Sequence, residues 1–352
     1  MITFYGHFSG YSSYPTVCRA IANYLHSIGT KDLQLCDLRP QGAYDGVPGI
    51  SRVPSSTWRA VQEGRADRWN KRPGTALVFG FPEWVRRVAQ HERMVGYHVC
   101  DVDRIPRHWA HIINTEDLVI TPSQWCHGVF RNCGVTTPIA IVHHGVDVAF
   151  GAVKRPKLPR EPLTFLHTCS AGEPDRKGTL QLVEAWERLA SMGEIDAKLT
   201  ILSSFPEAHA PLAKKSLGIK VISGKVARTP AEMAQCVAGF HGLVQPSRAE
   251  GFGMLPLECA AAGLPTLATD CTGHAEHDRY STSWSIPTGP LAPCGGAQAP
   301  SLDLGHVANA LLYMIENYDT LQDEANARRS TIMETWAWHK VLENLPELLT
   351  PS

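Results

Sequence analysis

The sequence predicts an α/β protein with two doubly wound, Rossmann-like parallel-sheet domains facing each other across a cleft. Three observations predict it. The chain has 352 residues, 43% of them apolar, enough for two cores. Short runs rich in β-branched residues alternate with segments whose apolar residues recur at helical spacing, the pattern of a parallel sheet covered by helices. The alternation begins again after a proline-rich basic connector, KRPKLPREP, at 154–162.

In the first half the expected strands are ITFYGH, LQLCDL, TALVFG, MVGYHV, DLVITPS and IAIVHHG. Between the first two, Val17, Ile21, Tyr24, Leu25 and Ile28 share a helical face, and Gly29 supplies a stop. PEWVRRVAQH, PRHWAHIIN and QWCHGVFRNCG read as further helices. In the second half the strands are LTFLHT, KLTIL, IKVI, FHGLVQPS and LPTLAT. The clearest helix is KGTLQLVEAWERLASMG, which buries Leu182, Val183, Trp186 and Leu189. Residues 288–301, TGPLAPCGGAQAPS, read as a flexible loop, followed by helices ending in METWAWHKVLENLPELL. Doubly wound sheets bind ligands at the carboxyl ends of their strands, so that is where function is sought.

Composition excludes several classes. A net charge of -1 points to neither a polyanion nor a membrane surface. No apolar run reaches the roughly 18–20 residues that span a bilayer, and the start lacks a secretory signal. The ten cysteines contain no Cys-x-x-Cys pair and sit in apolar segments, as reduced thiols of a cytoplasmic enzyme do. His108 with His111, His143 with His144, and His274 with His277 lack a third ligand nearby, so no metal is expected.

The most informative stretch is SRAEGFGMLPLECAAAGLPTLATD, 247–270. Strand GLVQPS precedes it, and LPLECAAAG reads as a helix with Pro256 in its first turn. A loop entering a helix N-terminus offers free N–H groups and the positive end of the helix dipole, which suits a phosphate. Gly251 and Gly253 permit close approach of the ligand. Glu258, in the first helical turn, and Glu250, at the strand end, can each accept two hydroxyl hydrogen bonds, as a ribose diol or a sugar offers. The implied ligand is sugar–diphosphate–nucleoside. A capping-type carboxylate at Glu258 and a solvated loop acid at Glu250 fit the spacing equally well.

EGFGMLPLE resembles the Glu-x7-Glu motif of family-four retaining glycosyltransferases with the GT-B fold. TPSQWCHGVFRNCGVTTPIAIVHHGVD resembles the family's segment between domains, EPDRKGTLQLVEAW its phosphate-binding Lys-Gly turn, TGHAEH its Gly-x-x-Glu turn, and TWAWHKV its final helix. The resemblance spans roughly residues 97–341. It implies an acceptor-side domain over 1–150, joined by a returning helix at about 335–352, and a nucleotide-sugar domain over 151–334. Lys177 matches the donor-phosphate lysine. The family's arginine, several residues earlier, is missing: Ser170 or Ala171 stands near that place, and either Arg176 substitutes or the second cationic contact is absent. Gly10, in HFSGYSS, resembles the glycine loop after the first strand; an ordinary turn fits it as well. Gly224 and Val226, in SGKV, resemble the loop that meets the base. The amides around Phe252, Gly253 and Met254 complete the diphosphate cradle. In GYHVCDVDRIP, His98 and Asp101 are placed over the acceptor; a core His98 and a helix-capping Asp103 are the alternative. Asp101-Val102-Asp103 also has the form of a GT-A metal motif, which the rest of the chain does not match.

The resemblance implies front-face retaining transfer from a nucleotide-diphosphate sugar to an acceptor hydroxyl, with no permanently bound cofactor. A UDP-sugar is the first expectation for the donor and a GDP-sugar the second. For the acceptor, RVPSSTWRAVQEGRADRWNKRPG (52–74) carries Arg59, Arg65, Arg68, Lys71 and Arg72 interleaved with Trp58 and Trp69. Basic and aromatic residues together suit a phosphodiester polymer, and a hydroxymethylated pyrimidine in DNA would supply the acceptor hydroxyl. A solvated helix and a basic helix on anionic lipid are the other readings. A glycan or lipid acceptor, a GT-B sugar-nucleotide 2-epimerase and a non-catalytic binder are the rival functions.

Overall fold

In the computed structural model the description covers residues 1–8, 10, 12–38, 51–52, 71–169 and 175–350. The chain divides into two units. The first comprises Met1–Cys100, Arg104–Gly145 and Trp338–Ser352; the second comprises Asp101–Asp103 and Val146–Ala337.

The first unit holds β1 (Ile2–Gly6), β2 (Leu33–Asp37), β3 (Ser51–Arg52), β4 (Arg72–Phe79), β5 (His91–Tyr97), β6 (Leu118–Thr121) and β7 (Ile139–Ile141). They form one parallel sheet in the order β3-β2-β1-β4-β5-β6-β7. The second unit holds β8 (Leu163–Cys169), β9 (Ala197–Ser203), β10 (Ile219–Ser223), β11 (Gly242–Gln245), β12 (Thr266–Thr269) and β13 (Trp284–Ile286). These are also parallel, in the order β10-β9-β8-β11-β12-β13. Both sheets reverse direction of growth beside their first strand, the doubly wound arrangement the alternation predicts. The central strands β11 and β12 are buried along their whole length, as a sheet covered on both faces requires. The Thr179–Ser191 helix lays Leu182, Val183, Trp186 and Leu189 on the second sheet, as its spacing predicts. The indole of the fully buried Trp186 donates to Leu217 O at 3.0 Å, so its polar edge is satisfied.

Three expectations change. Residues 288–301 are not an irregular loop but a hairpin, β14 (Thr288–Cys294) paired antiparallel with β15 (Ala297–Leu302). Its turn is Gly295-Gly296, with φ of 55° and 82°, a two-glycine signal whose backbone only glycine adopts readily. The expected PEWVRRVAQH helix is a single 3-10 segment, Pro82–Arg87, because Val88 is already extended on the way into β5. The closing helix ends at Trp336, where extended Ala337 bridges Val146; Trp338–Val341 and Leu345–Leu349 are separate short helices of the first unit.

Candidate functional site

In the second unit the switch point lies between β8 and β11. The loops that leave these two strands carry Lys177 and Glu250. Arg248 N donates to Arg176 O at 2.8 Å, tying the loops together at the backbone. Gly178 closes the first loop in the left-handed region, φ 66°, and a Cβ there would lie 2.0 Å from Pro246 O. Only glycine lets this turn dock on the end of β11, and that docking delivers Lys177 to Glu250.

Glu250 is 7% exposed. Lys177 Nζ donates to its Oε1, and Arg176 Nη1 lies 3.5 Å from its Oε2. Burial works against ionisation of Glu250, but Lys177 and Arg176 outweigh it and hold the carboxyl well below the usual range. Arg176 also donates to Ala249 O at 2.7 Å and sits 3.2 Å from Asp101 Oδ2. It thus lies beside the same carboxylate as Lys177. Asp101 Oδ1 accepts from Gly251 N at 2.8 Å. Asp101 therefore anchors the motif loop rather than standing free for an acceptor hydroxyl.

Gly251–Gly253 lead into the Met254–Ala261 helix, capped by Gly253 at φ 80°. The phenyl ring of Phe252 is core, packed on His277 and Trp336, and so is not available to a ligand. His277 Nε2 meets Phe252 O at 2.9 Å and fixes that peptide. The helix starts at Met254, one residue before the expected Leu255, which places Glu258 in the second turn. Burial, with Asp147 adding to it, pushes the Glu258 carboxyl up to about 8. A diol that donates two hydrogen bonds favours the ionised form, so nucleotide binding is expected to tighten from pH 6.5 to about 8 and then level off. Calorimetric titration of UDP across that range checks this; Glu258→Gln should lack the rise.

Gly224 and Val226 lie on a 3-10 turn after edge strand β10, at the same carboxyl edge of this sheet, with Val226 exposed. Gly10 lies in the first unit in the loop after β1, where Arg19 Nη1 donates to its carbonyl at 2.8 Å. His98 departs from expectation. It is fully buried in the first unit, with Nδ1 2.7 Å from Gly80 O and Nε2 2.9 Å from Glu116 Oε1. Both ring nitrogens serve the core, so His98 does not reach a ligand directly. Arg59, Arg65 and Arg68 lie outside the described residues. Lys71 is exposed, and Arg72 opens β4 at the amino edge of the first sheet, the edge opposite the Gly10 loop. These two therefore do not extend a surface beside that loop.

The sequence reading missed Arg248. It is 4% exposed and reaches Asp175 Oδ2 at 2.6 Å, Pro300 O at 2.8 Å and Pro293 O at 3.1 Å. It pins the β14–β15 hairpin to both site loops. Arg248→Met should destabilise the protein by about 3 kcal/mol, since the carbonyls lose a buried charged donor, and thermal unfolding reads the shift. Asp103 Oδ1 accepts from Gln298 N at 2.7 Å on the same hairpin instead of capping a helix. Among the described residues no group of three ligating side chains could hold a metal ion. Among them, too, no helix is long and apolar enough to cross a membrane.

Residues 162–316, the span that contains these loops, match the family model described as glycosyl transferases group 1. This stretch is similar to group 1 glycosyltransferase domains. No curated protein sequence matches the chain. Solved structures show that the fold is GT-B. WaaG, a glycosyltransferase involved in lipopolysaccharide biosynthesis, is 14% identical with a TM-score of 0.71 over 100% of both chains. HepE from Anabaena, solved with UDP and glucose, is 14% identical with a TM-score of 0.69, over 99% of this chain and 98% of its own. TarM is 16% identical with a TM-score of 0.59; the match covers 79% of this chain and 55% of TarM, so the chain spans about half of that relative. The matched residues include the whole β8–β13 sheet, on whose loops Lys177 and Glu250 meet.

Proposed function

We propose that the chain transfers a sugar from a nucleotide-diphosphate sugar to an acceptor hydroxyl with retention at the anomeric carbon. One observation carries this reading: two cations, Lys177 and Arg176, converge on a buried carboxylate, Glu250, beside a helix N-terminus at the switch point. A diphosphate needs the cations and the free amides of Gly253 and Met254. A sugar needs the carboxylate. Lys177 has three N–H donors and, among the described residues, gives one to Glu250, so the other two are assigned to phosphate. Glu258, one helical turn further in, is assigned the ribose. Gly224 and Val226 are assigned the base. Asp101 positions Gly251.

The proposed step breaks the bond between the anomeric carbon and the β-phosphate oxygen. The acceptor oxygen forms its bond on the same face, and its proton passes to the departing phosphate. Glu250 is not assigned as a nucleophile, because its charge is already shared by Lys177 and Arg176. HepE, solved with UDP and glucose, makes a UDP-sugar the first donor to try. Nothing among the described residues favours DNA over other acceptors. Incubation with UDP-glucose, UDP-galactose and GDP-mannose tests the reading. Slow release of sugar and nucleoside diphosphate, accelerated by an acceptor drawn from glycans, lipids or hydroxymethylated DNA, is expected. An epimerised sugar nucleotide without acceptor dependence would support the epimerase instead, and no turnover of any donor would contradict both.

A further inference from the structure

His274 is 1% exposed, on the turn Thr272–Glu276 that follows β12. Its Nδ1 lies 3.4 Å from Thr269 Oγ1. The Thr269 hydroxyl donates its own hydrogen to Ser247 O, so it can only accept from the ring. That contact assigns the ring hydrogen to Nδ1 and leaves the Nε2 lone pair bare. Nε2 has no hydrogen-bond partner among the described residues. It is aimed at the loop: a Cβ on Gly253 would lie 2.2 Å from it. Burial also lowers the basicity of the ring, keeping it neutral, while Glu250 and Lys177 are close enough to act on it in opposite directions.

A neutral Nε2 is an acceptor. Phosphate at neutral pH is an acceptor too, so the partner that fits is a hydroxyl. We propose that His274 Nε2 accepts a hydrogen bond from a hydroxyl of the transferred sugar, next to the hydroxyl held by Glu250, so that the two residues together select a diol. This deepens the nucleotide-sugar reading and rests on it. His274 then contributes to recognition of the sugar and not of the nucleotide. A buried acceptor left unpaired penalises any donor that lacks the hydroxyl, which makes this contact selective rather than merely adhesive.

The test compares wild type, His274→Phe and His274→Gln. UDP, UDP-glucose and its 3-deoxy and 4-deoxy analogues are titrated calorimetrically, with GDP and GDP-mannose alongside. His274→Phe should weaken UDP-glucose about tenfold and leave UDP within twofold. His274→Gln retains an acceptor and should recover most of the loss. One deoxy analogue should bind wild type about tenfold more weakly than the parent, yet bind His274→Phe as well as the parent does. Equal loss of UDP and UDP-glucose, or no loss, would overturn the proposal. So would wild type binding nucleotide with no gain from the sugar. If wild type binds neither nucleotides nor nucleotide sugars, the underlying donor assignment fails and this contact fails with it. Should His274→Phe not fold, the Gln variant and the deoxy series on wild type still decide.

Discussion

Replacing Lys177 by alanine is expected to lower turnover of the sugar donor about 10²–10³-fold, the range for removing one donor from a site of developing negative charge. UDP affinity should weaken alongside, because the same ammonium meets the diphosphate in the ground state. The substitution also removes the closest cation from a carboxylate that is 7% exposed. A buried pair broken on one side costs about 3 kcal/mol. The pH dependence has a definite sign. Glu250 has a depressed folded value, so its contribution is present above the ordinary carboxylate range and is lost as the pH falls through the folded value. Lys177→Ala shrinks that depression. The stability gap between wild type and variant should be full at pH 7 and close on acidification below the carboxylate range. Denaturant unfolding at several pH values reads it. A gap that persists unchanged into acid would contradict the ion-pair assignment.

Glu250→Gln should behave differently. The amide keeps an acceptor but no charge, so turnover should fall about 10²-fold. UDP should bind as well as before or more tightly, because Lys177 and Arg176 no longer share their charge with a carboxylate. Weaker UDP binding in Lys177→Ala but not in Glu250→Gln, with turnover lost in both, separates a phosphate ligand from a sugar ligand. Steady-state kinetics and UDP titration on the two variants check this. Weaker UDP binding in both would place Glu250 on the wrong part of the donor.

The fold was legible because periodicity reports burial directly. Strands such as GLVQ are apolar on both faces, and the Leu182–Leu189 face repeats at 3.6 residues. The placement of Lys177-Gly178 and EGFGMLPLE in the loops after β8 and β11 was legible because each is a contiguous segment between a strand and a helix pattern. What escaped was long-range pairing. Arg248 stands beside the motif but binds a hairpin more than forty residues away. His98 reads like an acceptor-side histidine until Gly80 and Glu116 are seen to take both its nitrogens. His274 reads as half of an incidental pair with His277. Only packing shows that one ring has both nitrogens engaged, by Ser281 and Phe252, while the other has an Nε2 beside Gly253 with no partner among the described residues. The hairpin had a local signal in Gly295-Gly296 that its proline-rich flanks obscured.

A crystal of the full chain soaked with UDP tests the central claim most directly. The β-phosphate should lie against the amides of Gly253 and Met254 within hydrogen-bond reach of Lys177 Nζ, with the ribose diol on Glu258. UDP bound with its phosphates away from the Gly251–Met254 turn, or that turn left empty beside a nucleotide bound elsewhere, would contradict the account.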